Sequence, residues 1–116
     1  MFHHGVHHVS INVDDVKANK AFYVDKLGLT ALDRPDLGIG GAWLQVGPQE
    51  IHLIELPLVE GAGPHFALKV DDIEHTAQTL RDRGVEVGEI RELDGVCLQA
   101  FFNDPASNQI EINQSL

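Results

Sequence analysis

Apolar and polar residues alternate near the start of the chain and then give way to a helical spacing. Residues 7–13 carry valine or isoleucine at every second position, which predicts a strand with one apolar face. An aspartate at position 14 or 15 can cap a helix that runs to about Leu27 and is ended by Gly28. Three short strands separated by Pro and Gly are predicted next, near residues 29–34, 41–46 and 50–56. The first half of the chain therefore predicts a βαβββ module.

The same order of elements occurs a second time. The segment that begins at His8 aligns with the one that begins at His65, and the tripeptide around His52 aligns with the one around Glu111. The second half is predicted to contain a strand at 65–70, a helix at about 72–83 closed by Gly84, and strands near 85–90, 97–102 and 109–113.

At 116 residues the chain is short enough to form one domain. Its two modules, at about residues 6–57 and 64–114, are joined by a Gly-rich linker at 60–64. The predicted fold class is α+β, with two tandem βαβββ modules forming a curved mixed sheet around a metal-binding cleft.

Four potential metal ligands occupy equivalent positions of the repeat, which pairs His8 with His65 and His52 with Glu111. His52 and Glu111 each lie between two apolar residues, and His8 and His65 alternate with the apolar residues that follow them, so all four side chains are expected on the face opposite the core. If two similar modules pack about a pseudo-two-fold axis, the four side chains converge on one cavity. Three imidazoles and one carboxylate suit Ni²⁺, Zn²⁺, Co²⁺, Mn²⁺ or Fe²⁺ better than Ca²⁺ or Mg²⁺. The sequence therefore predicts one divalent transition ion held by these four residues.

Other His and Glu residues are weaker candidates. Glu55 replaces His52 only if a β-bulge reverses the register of the strand. His7 is expected to face away from His8, and His3 and His4 lie in the terminal segment. His75 is expected on the solvent side of the second helix.

Composition excludes several classes of partner. The formal net charge is −10, from 18 acidic and 8 basic residues, which disfavours binding to nucleic acid or to an anionic membrane. The single Cys97 cannot form an internal disulfide and is expected to be buried. There is no signal-peptide pattern at the N-terminus and no apolar run long enough to span a membrane, so a cytoplasmic location is expected.

The sequence also resembles a known family, the vicinal oxygen chelate superfamily, which includes glyoxalase I, bleomycin-resistance proteins, fosfomycin-modifying enzymes and extradiol dioxygenases. The resemblance extends over nearly the whole chain. Its motifs are His7-His8-Val9 to Asp14-Asp15, Phe22-Tyr23, Leu27-Gly28-Leu29, Gly41-Ala42-Trp43-Leu44, Ile51-His52-Leu53-Ile54-Glu55, His65-Phe66-Ala67 to Asp71-Asp72, and Phe102-Asn103-Asp104-Pro105 to Asn108-Gln109-Ile110-Glu111.

What the resemblance implies is a metal ion on the first and fourth strands of both modules, with the ligands His8, His52, His65 and Glu111. Many glyoxalase-I-like members have Glu or Gln where this chain has His52. Epimerases of the superfamily use two opposed bases, so a ligand set with the single carboxylate of Glu111 argues against epimerase activity. A Gly that is usual in the Asp-Pro-x-Gly-Asn turn is replaced by Ser107, a change that the loop is expected to tolerate.

The leading hypothesis is a glyoxalase-like lyase or isomerase acting on a small carbonyl substrate that is chelated through vicinal oxygens. Glu111 is expected to shuttle the proton, as general base and then acid. Arg34, Trp43 and Phe101 are candidate substrate-binding residues. Two alternatives stay open: an extradiol-type dioxygenase and a non-catalytic binding protein of the bleomycin-resistance type. A homodimer is expected from the resemblance, with the modules paired within a chain or swapped between subunits.

Overall fold

The fold was analysed in a computed structural model, which describes residues 3–61 and 63–116. Residues 1, 2 and 62, the last of them in the predicted linker, lie outside the described residues. The chain divides into two compact units, Met1–Val59 and Glu60–Leu116. Each unit contains one βαβββ module with a four-stranded mixed sheet, so the predicted α+β class and the tandem modules are confirmed.

The first unit is built on a sheet with the strand order β1-β4-β3-β2. Strand β1 runs parallel to β4, and the other neighbours are antiparallel. The elements are β1 (His8–Val13), α1 (Val16–Ala21) with a π-helical continuation (Phe22–Lys26), β2 (Thr30–Leu32), β3 (Gly41–Val46) and β4 (Gln49–Glu55).

The second unit has the equivalent strand order β5-β8-β7-β6, again with the first and last strands of the module parallel to each other. Its elements are β5 (His65–Lys69), α2 (Ile73–Asp82), β6 (Arg91–Leu93), β7 (Cys97–Asn103) and β8 (Gln109–Ser115).

Both helices begin at a capping aspartate, and the first cap is one of the two that the sequence predicts. The carboxylate of Asp15 accepts a hydrogen bond from the backbone N–H of Ala18 at 3.0 Å. Asp72 caps α2 in the same way, through the N–H of His75 at 3.1 Å. These bonds satisfy N–H groups that have no partner inside a helix. Gly28 ends the first helical segment with a φ of 76°, a conformation that glycine adopts without steric cost.

The core of each unit lies on one face of its sheet. In the first unit it includes Val13, Tyr23, Leu44, Ile51 and Leu53, and in the second Ile73, Leu80, Ala100, Ile110 and Ile112, all at most 5% exposed. Because side chains alternate along a strand, His52 and Glu111 point to the opposite face from these apolar neighbours. The apolar pattern that builds the core thus also directs the candidate ligands.

One predicted strand is wrong. Residues 85–90 do not form a strand, and the short β6 comes after them at Arg91–Leu93. The physical reason is that the carbonyl groups of Val87 and Gly88 accept hydrogen bonds from the guanidinium of Arg81 at 3.0–3.4 Å. A side chain from α2 therefore occupies acceptors that a strand would offer to its neighbour.

The loop between β7 and β8 accommodates Ser107 in a left-handed conformation, with a φ of 67°. A residue with a Cβ is strained there. The buried carboxylate of Asp104 compensates, since its Oδ1 accepts the N–H groups of Ala106 and Asn108 at 2.9 and 2.8 Å. Among the residues that the structure describes, no helix is long and apolar enough to cross a membrane.

Candidate functional site

In the second unit, Glu111 and His65 form a close pair on neighbouring strands. The carboxylate of Glu111 is only 7% exposed, and its Oε1 lies 3.0 Å from Nε2 of His65. Strand β8 brings Glu111 to this face because Ile110 and Ile112 on either side of it are buried in the core. The pair is therefore fixed by the same alternation that anchors the strand.

The tautomer of His65 follows from its second contact. Its Nδ1 lies 2.7 Å from the carbonyl oxygen of Gly63, and a carbonyl only accepts hydrogen bonds, so Nδ1 carries the proton. In a neutral ring, Nε2 then presents a lone pair toward the carboxylate oxygen of Glu111. Two such groups repel each other unless a cation, either a proton or a metal ion, lies between them. This donor arrangement fits a metal-ligating His held by a backbone carbonyl.

A third residue holds the other oxygen of the carboxylate. Nδ2 of Asn113 donates to Oε2 of Glu111 at 2.7 Å and also lies 3.4 Å from Sγ of Cys97. Asn113 comes two positions after Glu111 on β8, so both side chains share a face. The sequence analysis missed Asn113, although this two-residue spacing could have indicated it. Cys97 is buried as predicted.

Asn113→Ala is expected to weaken metal binding by about tenfold, because the free Oε2 lets the carboxylate rotate away from its donor position. The measurement is a competition titration with a chromophoric chelator. Asn103→Ala, which changes an exposed amide on β7, is the matched control. Equal affinities for the wild type and Asn113→Ala would show that the amide does not position Glu111.

In the first unit, His52 lies between two aromatic rings. The ring of His8 stacks on it with centroids 3.9 Å apart, and Trp43 stacks at 4.8 Å. The position of Trp43 is given by the β3–β4 register, which places it directly opposite His52. His52 is half-buried, with 14% of its side chain exposed. Two of the four predicted ligands are therefore neighbours within this unit.

Glu50 contacts His52 and was not predicted from the sequence. Its Oε1 accepts a hydrogen bond from Nε2 of His52 at 2.9 Å. This bond holds the pKa of the Glu50 carboxyl below its usual value, with nearby His7 and His8 acting in the same direction and partial desolvation opposing them. A carboxylate on Nε2 leaves Nδ1 of His52 as the nitrogen with the lone pair. Glu50 lies two positions before His52, the spacing that puts both on one face.

The expected orientation of His7 is wrong. The sequence predicted that it faces away from His8, whereas Nδ1 of His7 lies 2.9 Å from Nδ1 of His8. Strand β1 begins only at His8, so the alternation of a strand does not extend to the residue before it. Glu55, the alternative to His52, lies on the opposite face of β4 because the pairing with β1 is regular from Glu50 to Glu55.

The three candidate substrate-binding residues are all half-buried. Trp43 stacks on His52, and Phe101 meets the ring of His65 edge to face with centroids 5.6 Å apart. Phe101 is paired with Glu111 as Trp43 is paired with His52. Each unit thus places an aromatic ring opposite the candidate ligand on its last strand. Arg34 packs on Gly41, since a Cβ at that glycine would lie 3.0 Å from the guanidinium carbon.

Across residues 3–61 and 63–116, no group of three or more His, Cys, Asp or Glu side chains is arranged to hold a metal ion. What each unit brings together is a pair of candidate ligands, His8 with His52 and His65 with Glu111. The four-residue ligand set therefore stays a prediction.

Comparison with known proteins agrees with this architecture. Residues 5–112 match the family model described as Glyoxalase/Bleomycin resistance protein/Dioxygenase superfamily. A Synechocystis protein named "Probable lactoylglutathione lyase" is 34% identical over 93% of this chain and 93% of its own length. A glyoxalase family protein from Bacillus anthracis has a TM-score of 0.88 at 26% identity, covering 100% of this chain and 98% of that one. TnmS3, an antibiotic-binding protein from Streptomyces sp. CB03234, has a TM-score of 0.81 at 26% identity and covers 100% and 99%.

The class of the protein is an α+β fold of two tandem βαβββ modules, each with aromatic and imidazole side chains on one face of its own sheet. The chain belongs to the Glyoxalase/Bleomycin resistance protein/Dioxygenase superfamily.

Proposed function

We propose that this protein is a metal-dependent lyase or isomerase of the glyoxalase type, acting on a small carbonyl substrate through its vicinal oxygens. The observation that carries the proposal is the buried carboxylate of Glu111 beside Nε2 of His65. The name of the Synechocystis relative, a lactoylglutathione lyase, supports the same class of reaction.

The residues proposed to hold the ion are His8, His52, His65 and Glu111. The His65–Glu111 pair fits such a role, because two donor atoms that are each about 2.1 Å from one ion lie about 3 Å apart when they occupy neighbouring coordination positions. The observed separation of Nε2 and Oε1 is 3.0 Å. His52 fits as well, since its hydrogen bond to Glu50 through Nε2 leaves the lone pair on Nδ1.

A bound divalent ion would supply Lewis-acid polarisation of the substrate oxygens. The proton transfer is assigned to Glu111, whose carboxylate accepts a proton from the carbon next to the carbonyl and returns it to the neighbouring carbon. Asn113 donates a hydrogen bond to Oε2 and so fixes the orientation of the carboxylate. The low exposure of Glu111 keeps water from competing for the proton.

The proposal is tested by elemental analysis of protein purified without added metal, followed by a screen of metals against substrates. About one transition ion per chain is expected, together with turnover of methylglyoxal in the Ni²⁺ or Zn²⁺ form. His65→Ala should lose the ion, whereas His75→Ala, on the exposed side of α2, should keep it. Iron with catechol-dependent oxygen uptake would replace the lyase by a dioxygenase. A metal-free protein would contradict both activities.

A second candidate function is the binding of an aromatic ligand without catalysis. The stack of Trp43, His52 and His8 offers flat rings on one sheet face, and the Streptomyces neighbour is an antibiotic-binding protein. A binder does not need the proton-transfer group. Ligand affinity that is unchanged in Glu111→Gln, in a protein without turnover, would favour this second function.

A further inference from the structure

Arg34 lies on the sheet face of the first unit that carries Trp43 and His52. The β2–β3 pairing places Leu32 opposite Trp43, and the same register continued by two residues places Arg34 opposite Gly41. The contact agrees with this, because a Cβ at Gly41 would lie 3.0 Å from both Cζ and Nε of Arg34. It would also collide with the carbonyl oxygen of Leu53. The glycine thus makes room for the guanidinium against the backbone of β3.

The guanidinium has no acceptor in the described part of the chain. Its Nε is buried and makes no hydrogen bond, and Arg34 forms no ion pair with any described carboxylate. A buried N–H without a partner is costly and uncommon in folded proteins. The absence of a carboxylate partner stands out because the chain has 18 acidic residues against 8 basic ones.

The nearest acidic side chain along β4 does not provide a partner either. Glu55 packs against Gly40, with its Oε2 3.2 Å from where a Cβ of that glycine would be. It belongs to the face of β4 opposite to His52. The positive charge of Arg34 is therefore left uncompensated on the face where the substrate is proposed to bind.

We propose that Arg34 binds a carboxylate group of the substrate, so that the substrate class is a small 2-hydroxyaldehyde or 2-hydroxyketone with a distal carboxylate. The inference rests on the proposed metal-dependent function and adds the substrate class to it. Guanidinium and carboxylate are planar groups that can form two parallel hydrogen bonds, which a neutral group of similar size cannot reproduce.

The strand geometry limits the size of this substrate. Gly41 and Trp43 are two residues apart on β3, a spacing of about 7 Å along a strand. Trp43 is directly opposite His52, so the guanidinium lies about one such step from the proposed ligand. A ligand that reaches from one to the other has about three to five carbon atoms. Malate has this size and carries vicinal oxygens and a distal carboxylate, so it can serve as a binding probe that does not react.

The test compares malate with 2-hydroxybutyrate, which has the same hydroxy-acid end but no distal carboxylate. The probe is the fluorescence of Trp43, the single tryptophan of the chain, in the Zn²⁺-loaded protein. Malate is expected to bind the wild type at least tenfold more tightly than 2-hydroxybutyrate. Arg34→Gln should abolish this preference and Arg34→Lys should keep part of it. Arg91→Gln is the matched control, because Arg91 is 77% exposed and pairs with Glu89.

Several results would overturn the inference. A malate preference that survives in Arg34→Gln, or that is lost equally in Arg91→Gln, would exclude Arg34 as the receptor. Zn²⁺ uptake without tighter binding of malate would exclude the substrate class while leaving the metal function intact. A wild type that takes up no Zn²⁺ would contradict the proposed function. In that case the metal-free proteins are compared: malate should change the fluorescence of the wild type but not that of Arg34→Gln. If the two proteins respond alike, Arg34 is not a carboxylate site either. Thermal unfolding of each variant verifies that it is folded.

Discussion

Glu111→Gln is expected to lower the rate of proton abstraction next to a carbonyl by about 10²- to 10⁴-fold, the contribution typical of a general base. The amide keeps an oxygen that can contact a metal ion but has no basic site of the strength required. Metal affinity should therefore fall much less than the rate. This split between binding and proton transfer distinguishes a catalytic base from a residue that only holds the ion.

The rate can be measured without the natural substrate. Hydroxyacetone has vicinal oxygens and exchangeable hydrogens next to its carbonyl, so their replacement by deuterium in D2O, followed by NMR, reports the proton transfer alone. Glu86→Gln, a change at an exposed position outside the helices and strands, is the control and should exchange like the wild type. Exchange that continues undiminished in Glu111→Gln would assign the proton transfer to another group.

The faces of the strand residues could be predicted because sequence alternation and burial have the same cause. His52 and Glu111 each lie between two apolar residues, and the packing of those neighbours directs both polar side chains to the other face. The sequence also predicted that Asp14 or Asp15 caps the first helix, and the cap is Asp15. Fold class and the face of each ligand could thus be read from periods of about two and 3.6 residues.

The hydrogen-bond partners of these candidate ligands are harder to predict from sequence. Glu50 and Asn113 are ordinary polar residues of strands, and only the contacts at 2.9 and 2.7 Å show what they hold. The two-residue spacing between Glu111 and Asn113 indicates a shared face but not a contact. The strand predicted at 85–90 failed for a similar reason, because the contact between Arg81 and the carbonyl groups of that segment is tertiary.

The loop that leads into β8 gives the second large expected effect. Asp104→Ala is expected to lower the free energy of unfolding by about 3 kcal/mol, since it removes a buried acceptor of several hydrogen bonds. Oδ1 of Asp104 binds two backbone N–H groups, and Oδ2 accepts from Nδ2 of Asn108 at 2.9 Å. Without the carboxylate, these donors remain in a buried loop that also contains the strained Ser107. Urea unfolding followed by circular dichroism measures the change.

The matched control for this loop is Asp94→Ala in the exposed turn between β6 and β7, which should change the unfolding free energy by less than about 0.5 kcal/mol. Asp104→Asn should have an intermediate effect, because it keeps one acceptor oxygen but places an amide N–H₂ toward Nδ2 of Asn108. Equal stabilities of Asp104→Ala and Asp94→Ala would mean that the loop does not depend on the carboxylate. The loop is connected to the proposed function because β8 begins at Gln109, two residues before Glu111. A loop that no longer holds the register of β8 should therefore lower metal affinity as well as stability.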